Sequence, residues 1–257
     1  MGQRAATCGP LPCSHYLMPQ TATTNAALRL TLALLATVAV TAIALAVDAA
    51  EAARSTKVLG ATGRTPNPLC PDDCRATGSV TGFGVVADGK RGLYKVPADG
   101  HIVAWSVELS KPTEAQLNGF GDIFKDDKFG TAPVAKLAVL KKKGKKSRYT
   151  LGKQSPTVEL KRNLGSKPIF TLGKALKVQE GRVVALTLPT WAPLYRDGLS
   201  TSKNAWKASR KSGACSADEV PDAKPHLRKN TTRTYGCKLT GERVLYWAYF
   251  VPSKTSK

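Results

Sequence analysis

The sequence predicts an all-β fold, a two-sheet jelly-roll-like sandwich of roughly eight to ten strands that follows an N-terminal apolar export or anchor helix. Three observations support this prediction. From residue 79 onward, short apolar runs alternate with clusters of Gly, Pro, Asp or Lys, which is typical of strands and turns. After the leader, no apolar periodicity of convincing helical length occurs, and only residues 204–210 are compatible with a short helix. Cysteines also remain after the leader, which suits an exported β domain.

Residues 1–52 form the predicted leader. An apolar run at residues 30–47 follows Arg29 and precedes an A-x-A pattern at residues 50–52, the arrangement of a cleaved signal peptide. Because a membrane-spanning helix needs only about 17–25 apolar residues, a retained N-terminal anchor is the alternative. Met18 is the more natural start, since starting there leaves a signal of ordinary design. Both readings place the rest of the chain in the cell envelope or outside the cell.

Residues 53–78 are rich in Gly and Pro and poor in large apolar side chains, so they are predicted to be a linker. The β-sandwich domain is predicted to span residues 79–257. Its first half-buried strand is indicated by Val103, Trp105 and Val107, which occupy alternate positions and so share one face.

A hairpin is predicted next, because apolar alternation at residues 135–139 is followed by a second strand-like run at residues 149–151. Gly144 supplies the permissive backbone that the turn needs. The turn region carries the densest cation cluster of the chain: Lys141, Lys142, Lys143, Lys145, Lys146 and Arg148. We expect these cations to anchor phosphate or sulfate groups in a salt-dependent way, and the alternative is a solvated turn that protects strand edges.

The remaining strands are short and close the domain. They are predicted at residues 157–160, 168–172, 176–178 and 182–188. Residues 189–231 are polar and irregular, and a loop of that length is usually functional or disordered. The closing run at residues 243–251 is so apolar that we place it inside a sheet, where it is protected from aggregation.

Four cysteines follow the leader: Cys70, Cys74, Cys215 and Cys237. Their even number in an exported domain predicts disulfides. Of the three pairings that four cysteines allow, Cys70 with Cys74 and Cys215 with Cys237 is the simplest. The spacing does not match the paired cysteines of a structural zinc site, so neither a metal nor a cofactor is expected.

The chain is strongly basic, with 39 Lys and Arg against 18 Asp and Glu and a net charge of +21. The charges of residues 1–52 cancel, so this excess belongs to the exported part. Such a field attracts polyanions. The predicted partner is therefore an anionic polymer, namely a wall glycan, an acidic polysaccharide or nucleic acid, and a membrane only through an uncleaved leader. The oligomeric state stays open, and a basic surface that only maintains solubility is the alternative.

Three aromatic residues are the best candidates for a contact surface. Trp191, Tyr195 and Trp206 lie in or beside the irregular region and alternate with cations. Flat rings beside cations suit sugar rings or unstacked bases that carry acidic groups. The alternative is that Trp191 and Trp206 are large apolar plugs at the end of the sandwich core.

Catalytic groups are scarce, because His101 and His226 are the two histidines after the leader. Asp122, Asp126 and Asp127 cluster in a way that suits Ca²⁺ or acid–base chemistry, but their spacing matches no calcium loop and lysines stand among them. We therefore assign no catalytic residue and predict a secreted, basic, non-catalytic binding protein for an anionic extracellular polymer or cell-envelope surface. A secreted polysaccharide hydrolase, or a purely structural envelope protein, is the alternative.

Several segments together resemble an uncharacterised family of secreted actinobacterial β-sandwich proteins. They are residues 102–107, 154–160, 170–188, 189–193 and 235–237. The resemblance covers about residues 79–251. It implies the fold and secretion, and it transfers no activity because none is known for the family.

Overall fold

The computed structural model describes residues 56–123, 130–213, 215 and 224–253. The predicted leader, with its apolar run and Met18, lies outside the described residues. Within them the chain is all-β, with one α-helix, α1 (Glu114–Ile123), between the fourth and fifth strands. No helix in this part of the chain is both long and apolar enough to cross a membrane.

The strands are numbered in chain order. They are β1 (Lys57–Leu59), β2 (Thr77–Ala87), β3 (Lys90–Arg91), β4 (Gly100–Val107), β5 (Val134–Lys142), β6 (Arg148–Gln154), β7 (Val158–Glu159), β8 (Ile169–Val178), β9 (Val183–Ala192), β10 (Tyr195–Arg196), β11 (Ala205–Ala208), β12 (Thr232–Thr234), β13 (Cys237–Thr240), β14 (Arg243–Val244) and β15 (Tyr246–Pro252).

Two antiparallel sheets of unequal size form the two layers. The smaller sheet has the strand order β1-β15-β4-β8, and the larger has nine strands with the main order β12-β6-β5-β9-β2-β11-β13. A separate two-stranded ribbon pairs β10 with β14. The layers are thus four strands against nine, whereas the sequence predicted a jelly-roll-like sandwich of fewer strands.

The main core lies between the two sheets. Trp105 and Phe250 of the smaller sheet belong to the same buried cluster as Leu137 and Leu186 of the larger one. Two buried phenols also join the layers, because Tyr94 Oη donates to the Tyr246 carbonyl at 3.1 Å and Tyr246 Oη donates to the Val184 carbonyl at 3.1 Å. Hydrogen-bonded phenols leave no unsatisfied polar atom in this core at those positions.

The larger sheet curls, because its two edge strands are consecutive in the chain. Only Tyr235 and Gly236 separate β12 from β13, which stand at opposite ends of the strand order. Curling encloses a second buried cluster on the face turned away from the smaller sheet, where Phe83 and Tyr149 pack edge to face at 5.1 Å. Strands β2, β5 and β9 are consequently buried on both faces, which explains the run of apolar residues at 183–188.

Two expectations about strands are confirmed and one is refined. The closing run lies inside the smaller sheet, since β15 pairs with both β1 and β4. Trp105, predicted on the apolar face of a half-buried strand, is 0 % exposed. The alternation in β4 is interrupted between Ile102 and Ala104, where the register with β8 shifts, so Ile102 is buried and Val103 is only partly buried.

Three segments differ from the sequence expectations. Residues 204–210, compatible with a short helix, contain β11, which is held between β2 and β13. The helix α1 was not predicted. The segment 53–78, predicted as a linker, contributes β1 and the start of β2, and Leu59 is 2 % exposed because β1 pairs with β15.

The four cysteines are paired as the simplest connectivity predicted. Cys70 is bonded to Cys74, and Cys215 is bonded to Cys237, 22 residues further along the chain. Disulfides are compatible with an extracellular protein.

Candidate functional site

The predicted lysine cluster lies at a hairpin. Strand β5 ends with Lys142 and β6 begins with Arg148, and the two strands are paired up to that point. Gly144 has φ +67°, the left-handed conformation that the turn requires and that glycine adopts without strain. All six predicted cations are exposed: Lys141, Lys142, Lys143, Lys145, Lys146 and Arg148.

None of these cations forms an ion pair with an acid in the part of the chain that the structure describes. In the described residues the ion pairs are Arg75 with Asp197 and Lys167 with Glu108, and neither belongs to the hairpin. The curled sheet instead brings Lys207 to the turn, where its Nζ donates to Ser147 Oγ at 2.6 Å. Burial, and then the charges of two neighbouring lysines, lower the pKa of Lys207. The hairpin and Lys207 therefore form a concentrated group of positive charges.

A cleft of about 400 Å³ opens beside this hairpin, between the two sheets. We call it the cationic cleft. It forms because β8 of the smaller sheet ends over the exposed flank of β5 and β6. Its lining is Val139, Lys141, Thr150, Gly152, Lys153, Lys177, Val178, Gln179, Arg182 and Asn230.

Four cations and no carboxylate occur among the described residues that line the cationic cleft. Lys141 and Lys153 come from the hairpin, Lys177 from the end of β8, and Arg182 from the turn before β9. The Arg182 guanidinium donates to the Gln179 side chain, which holds it at the rim. Val178 supplies a buried apolar floor. A ligand that enters the cationic cleft therefore meets positive charges from four side chains.

The three predicted aromatic residues line a second cavity, of about 500 Å³, which we call the aromatic pocket. Trp191 Nε1 donates to the Thr131 carbonyl at 2.8 Å, and Trp206 Nε1 donates to Glu242 Oε2 at 3.1 Å. Each tryptophan is only 2 % exposed, so its ring forms the floor and offers no open stacking platform. Tyr195 is partly exposed.

Other elements enclose the aromatic pocket. Phe120 of α1 packs on Trp191, with ring centroids 5.0 Å apart. The Tyr195 phenol is hydrogen-bonded to Glu242, and burial followed by that contact raises its pKa, so the phenol stays protonated. Arg75, at the rim, pairs with Asp197 at 2.7 Å.

The cationic cleft and the aromatic pocket are lined by residues at opposite ends of β9. Arg182, at the cationic cleft, immediately precedes β9, and Trp191 lies at the other end of that strand. The two residues are about 30 Å apart at the usual rise per residue of a strand. A single small ligand therefore cannot contact both regions.

The candidate catalytic groups are also separated. His101 lies at the start of β4, and Glu108 follows the end of the same strand, where Lys167 Nζ is 3.3 Å from its carboxylate. Asp122 is exposed on α1, and residues 126 and 127 lie outside the described residues. No group of three or more His, Cys, Asp or Glu side chains suited to a metal ion occurs in the described ranges.

His226 is a buried structural residue. Its Nδ1 is 3.2 Å from Tyr235 Oη, and its Nε2 is 3.0 Å from Thr231 Oγ1. Its main-chain N–H donates to Thr81 Oγ1 at 2.8 Å. Burial lowers the pKa of the imidazole, which favours the neutral form inside the curled sheet.

Sequence reasoning missed most of the cationic cleft. Lys153, Lys177, Arg182 and Asn230 come from separate segments and stand in no local cluster. The signal available in the sequence was limited to Lys177 and Arg182, which flank the short connection between two predicted strands.

The fold and these cavities define a disulfide-linked all-β protein with a cationic cleft between two packed sheets. Comparisons of the chain with models of protein families, with curated proteins and with solved structures find no match.

Proposed function

We propose that this protein is a secreted, non-catalytic binding protein that holds an anionic extracellular polymer or envelope surface in the cationic cleft and along the adjoining hairpin. The observation that carries the proposal is the set of four cations, unaccompanied by any acid among the described lining residues, around an open cleft. The net charge of +21 supplies the long-range attraction that brings a polyanion to this surface.

The chemistry of the cleft favours a polymer with closely spaced phosphate, sulfate or carboxylate groups. Lysine ammonium groups are mobile point charges that impose little geometry on the anion, so they suit a repeating chain better than one small, shaped ligand. The cationic cleft continues into the exposed hairpin through Lys141, which belongs to both. An extended polyanion would therefore meet cations over a length greater than the cleft itself.

The aromatic residues have a smaller part in this proposal than the sequence suggested. Trp191 and Trp206 are each only 2 % exposed, and neither lines the cationic cleft, so the polymer contacts charge rather than stacked rings. The proposal also includes export of the protein through its N-terminal leader. The two disulfides are compatible with an extracellular location.

The test compares two variants that lose the same charge. The first, Lys153→Gln/Lys177→Gln/Arg182→Gln, removes three of the four cations of the cleft, and the second, Lys90→Gln/Arg91→Gln/Lys203→Gln, removes three exposed cations elsewhere. Affinity for heparin and for a linear polyphosphate is measured across salt concentrations. For wild type, log K should fall linearly with log salt, by about 0.9 per neutralised anion if the polymer behaves like duplex DNA.

We expect the cleft variant to lose at least about tenfold more affinity than the control variant and to show a shallower salt dependence. Equal losses in the two variants would show that only the overall charge matters and would refute the cleft as the site. Binding that does not change with salt would refute the electrostatic proposal altogether.

A further inference from the structure

We propose that the aromatic pocket is a second, independent site that binds an uncharged, hydroxylated ring, of the kind a neutral sugar residue presents. This goes beyond the proposed polyanion binding, because it concerns another cavity and another class of ligand. The pocket lies among α1, β10, β11 and β13, and its volume of about 500 Å³ is within the range of ordinary ligand sites.

The charged side chains at the aromatic pocket have polar partners, and charges of both signs are present, which disfavours an anionic ligand. Arg75 is 2.7 Å from Asp197, and Glu242 accepts hydrogen bonds from Trp206 and Tyr195. The Arg210 guanidinium donates to the carbonyls of Gly78, at 3.2 Å, and Cys215, at 3.4 Å. The cationic cleft, by contrast, has no acid among its described lining residues, so the two cavities of this strongly basic protein differ in electrostatic character.

The walls combine an apolar body with a few polar groups. Phe120, Ile123 and Leu239 supply apolar surface, and Ile123 at the mouth is 67 % exposed. Glu242 offers a carboxylate acceptor and Arg75 a guanidinium donor. A sugar ring has apolar C–H faces and hydroxyl edges, so it matches both kinds of surface without carrying a charge into the pocket.

Disulfides and a hydrogen bond cross-link the segments that line the aromatic pocket. Both disulfides of the described residues meet it, because Cys74 lines one side and Cys215 another. The helix is tied to the first disulfide loop, since Gln116 Nε2 donates to the Pro71 carbonyl at 2.9 Å. Cross-links of this kind reduce the number of conformations that a wall can adopt and so lower the entropic cost of binding, which suits a weakly interacting neutral molecule.

The test uses intrinsic fluorescence, because Trp191 and Trp206 both line the pocket. The full-length protein is titrated with two uncharged disaccharides, N,N′-diacetylchitobiose and cellobiose, and with the uncharged dye Nile red. We expect a saturable change with at least one disaccharide that stays constant between about 50 and 500 mM salt, since no charge pair is formed.

The matched variants are Ile123→Ser at the mouth and Ile169→Ser, which removes an equally large side chain, 57 % exposed, on β8. Ile123→Ser should weaken disaccharide binding by about tenfold through lost apolar contact, and Ile169→Ser should leave it unchanged. Neither change should alter heparin affinity, and the cleft variant described above should retain disaccharide binding, so this proposal and the polyanion proposal fail separately.

Three results would overturn the inference. They are the lack of any saturable signal with both disaccharides at about 50 mM, equal affinities for the Ile123→Ser protein and wild type, and binding of Nile red alone, which would make the pocket an apolar site rather than a sugar site.

Discussion

The Trp206 ring packs against β2 at Gly82, where a larger side chain would collide with it. Replacement of Gly82 therefore tests this contact directly. A Cβ atom at residue 82 would lie 2.5 Å from Cζ3 and 2.6 Å from Cε3 of the Trp206 ring. Both distances are shorter by about 1 Å than even the lower end of the usual carbon–carbon contact range of about 3.5–4.0 Å. Trp206 cannot retreat easily, because it is buried and its Nε1 is bonded to Glu242.

Overpacking of this kind costs typically about 1–3 kcal/mol, so Gly82→Ala should be destabilising by that amount. In a domain of 150–250 residues each kcal/mol lowers the melting temperature by about 2–4 °C. Gly173→Ala is the matched control, because Gly173 also lies within a strand, its φ is not in the left-handed region, and nothing stands within 4 Å of its Cβ position. The control should be neutral or slightly stabilising.

The measurements are urea unfolding and thermal melts of both variants, followed by a double-mutant cycle with Trp206→Leu. If the overlap with the ring is the cause, Gly82→Ala should cost markedly less in the Trp206→Leu background. Unfolding midpoints for Gly82→Ala that equal those of Gly173→Ala would contradict the predicted clash with the Trp206 ring. A loss of unfolding free energy that is the same with Trp206 or Leu at residue 206 would contradict it as well.

Two further predictions concern buried groups. Burial in the folded protein holds the pKa of His226 below the usual value near 6.5, so the unfolded chain binds the proton at a higher pH than the folded one. The free energy of unfolding should therefore fall as the pH drops below about 6.5 and level off below the folded pKa. His226→Gln should reduce the difference between the urea midpoints measured at pH 7.5 and at pH 5. An unchanged pH dependence would contradict it. Cys215→Ala/Cys237→Ala opens a loop of 22 residues and should lower the unfolding free energy by about 3 kcal/mol. A loss below about 1 kcal/mol in urea unfolding would count against the entropic account.

The strands were largely predictable, and the helix shows why some elements were not. The ten-residue helix α1 contains two glycines, which lower its intrinsic helix propensity. It is also too short to show a sustained apolar periodicity. Its start nevertheless carries a local signal: the Gln116 N–H donates to Thr113 Oγ1 at 3.3 Å, and the Thr113 N–H donates to Gln116 Oε1 at 2.8 Å. This reciprocal pair is a capping box, readable as T-x-x-Q, and it places the helix better than periodicity does.

Burial of the tryptophans could not be inferred from their neighbours in the chain. Trp206 is flanked by Lys207, and side chains at adjacent strand positions point to opposite faces. Trp206 therefore packs on Gly82 in the intersheet core, while Lys207 reaches Ser147 across the curled sheet. Aromatic residues alternating with cations look the same in a sequence whether the rings are inside or outside.

Local pattern and composition were enough to predict the all-β class, the hairpin that carries the lysines, the interior position of the closing strand and the large excess of positive charge. Which of these cations line one cleft depends on the tertiary structure. Lys141, Lys177 and Arg182 are brought together only because β8 ends over the flank of the β5–β6 hairpin. Pairing between strands that are distant in the chain, and the curling of the larger sheet, are non-local features. A short stretch of sequence therefore cannot predict them.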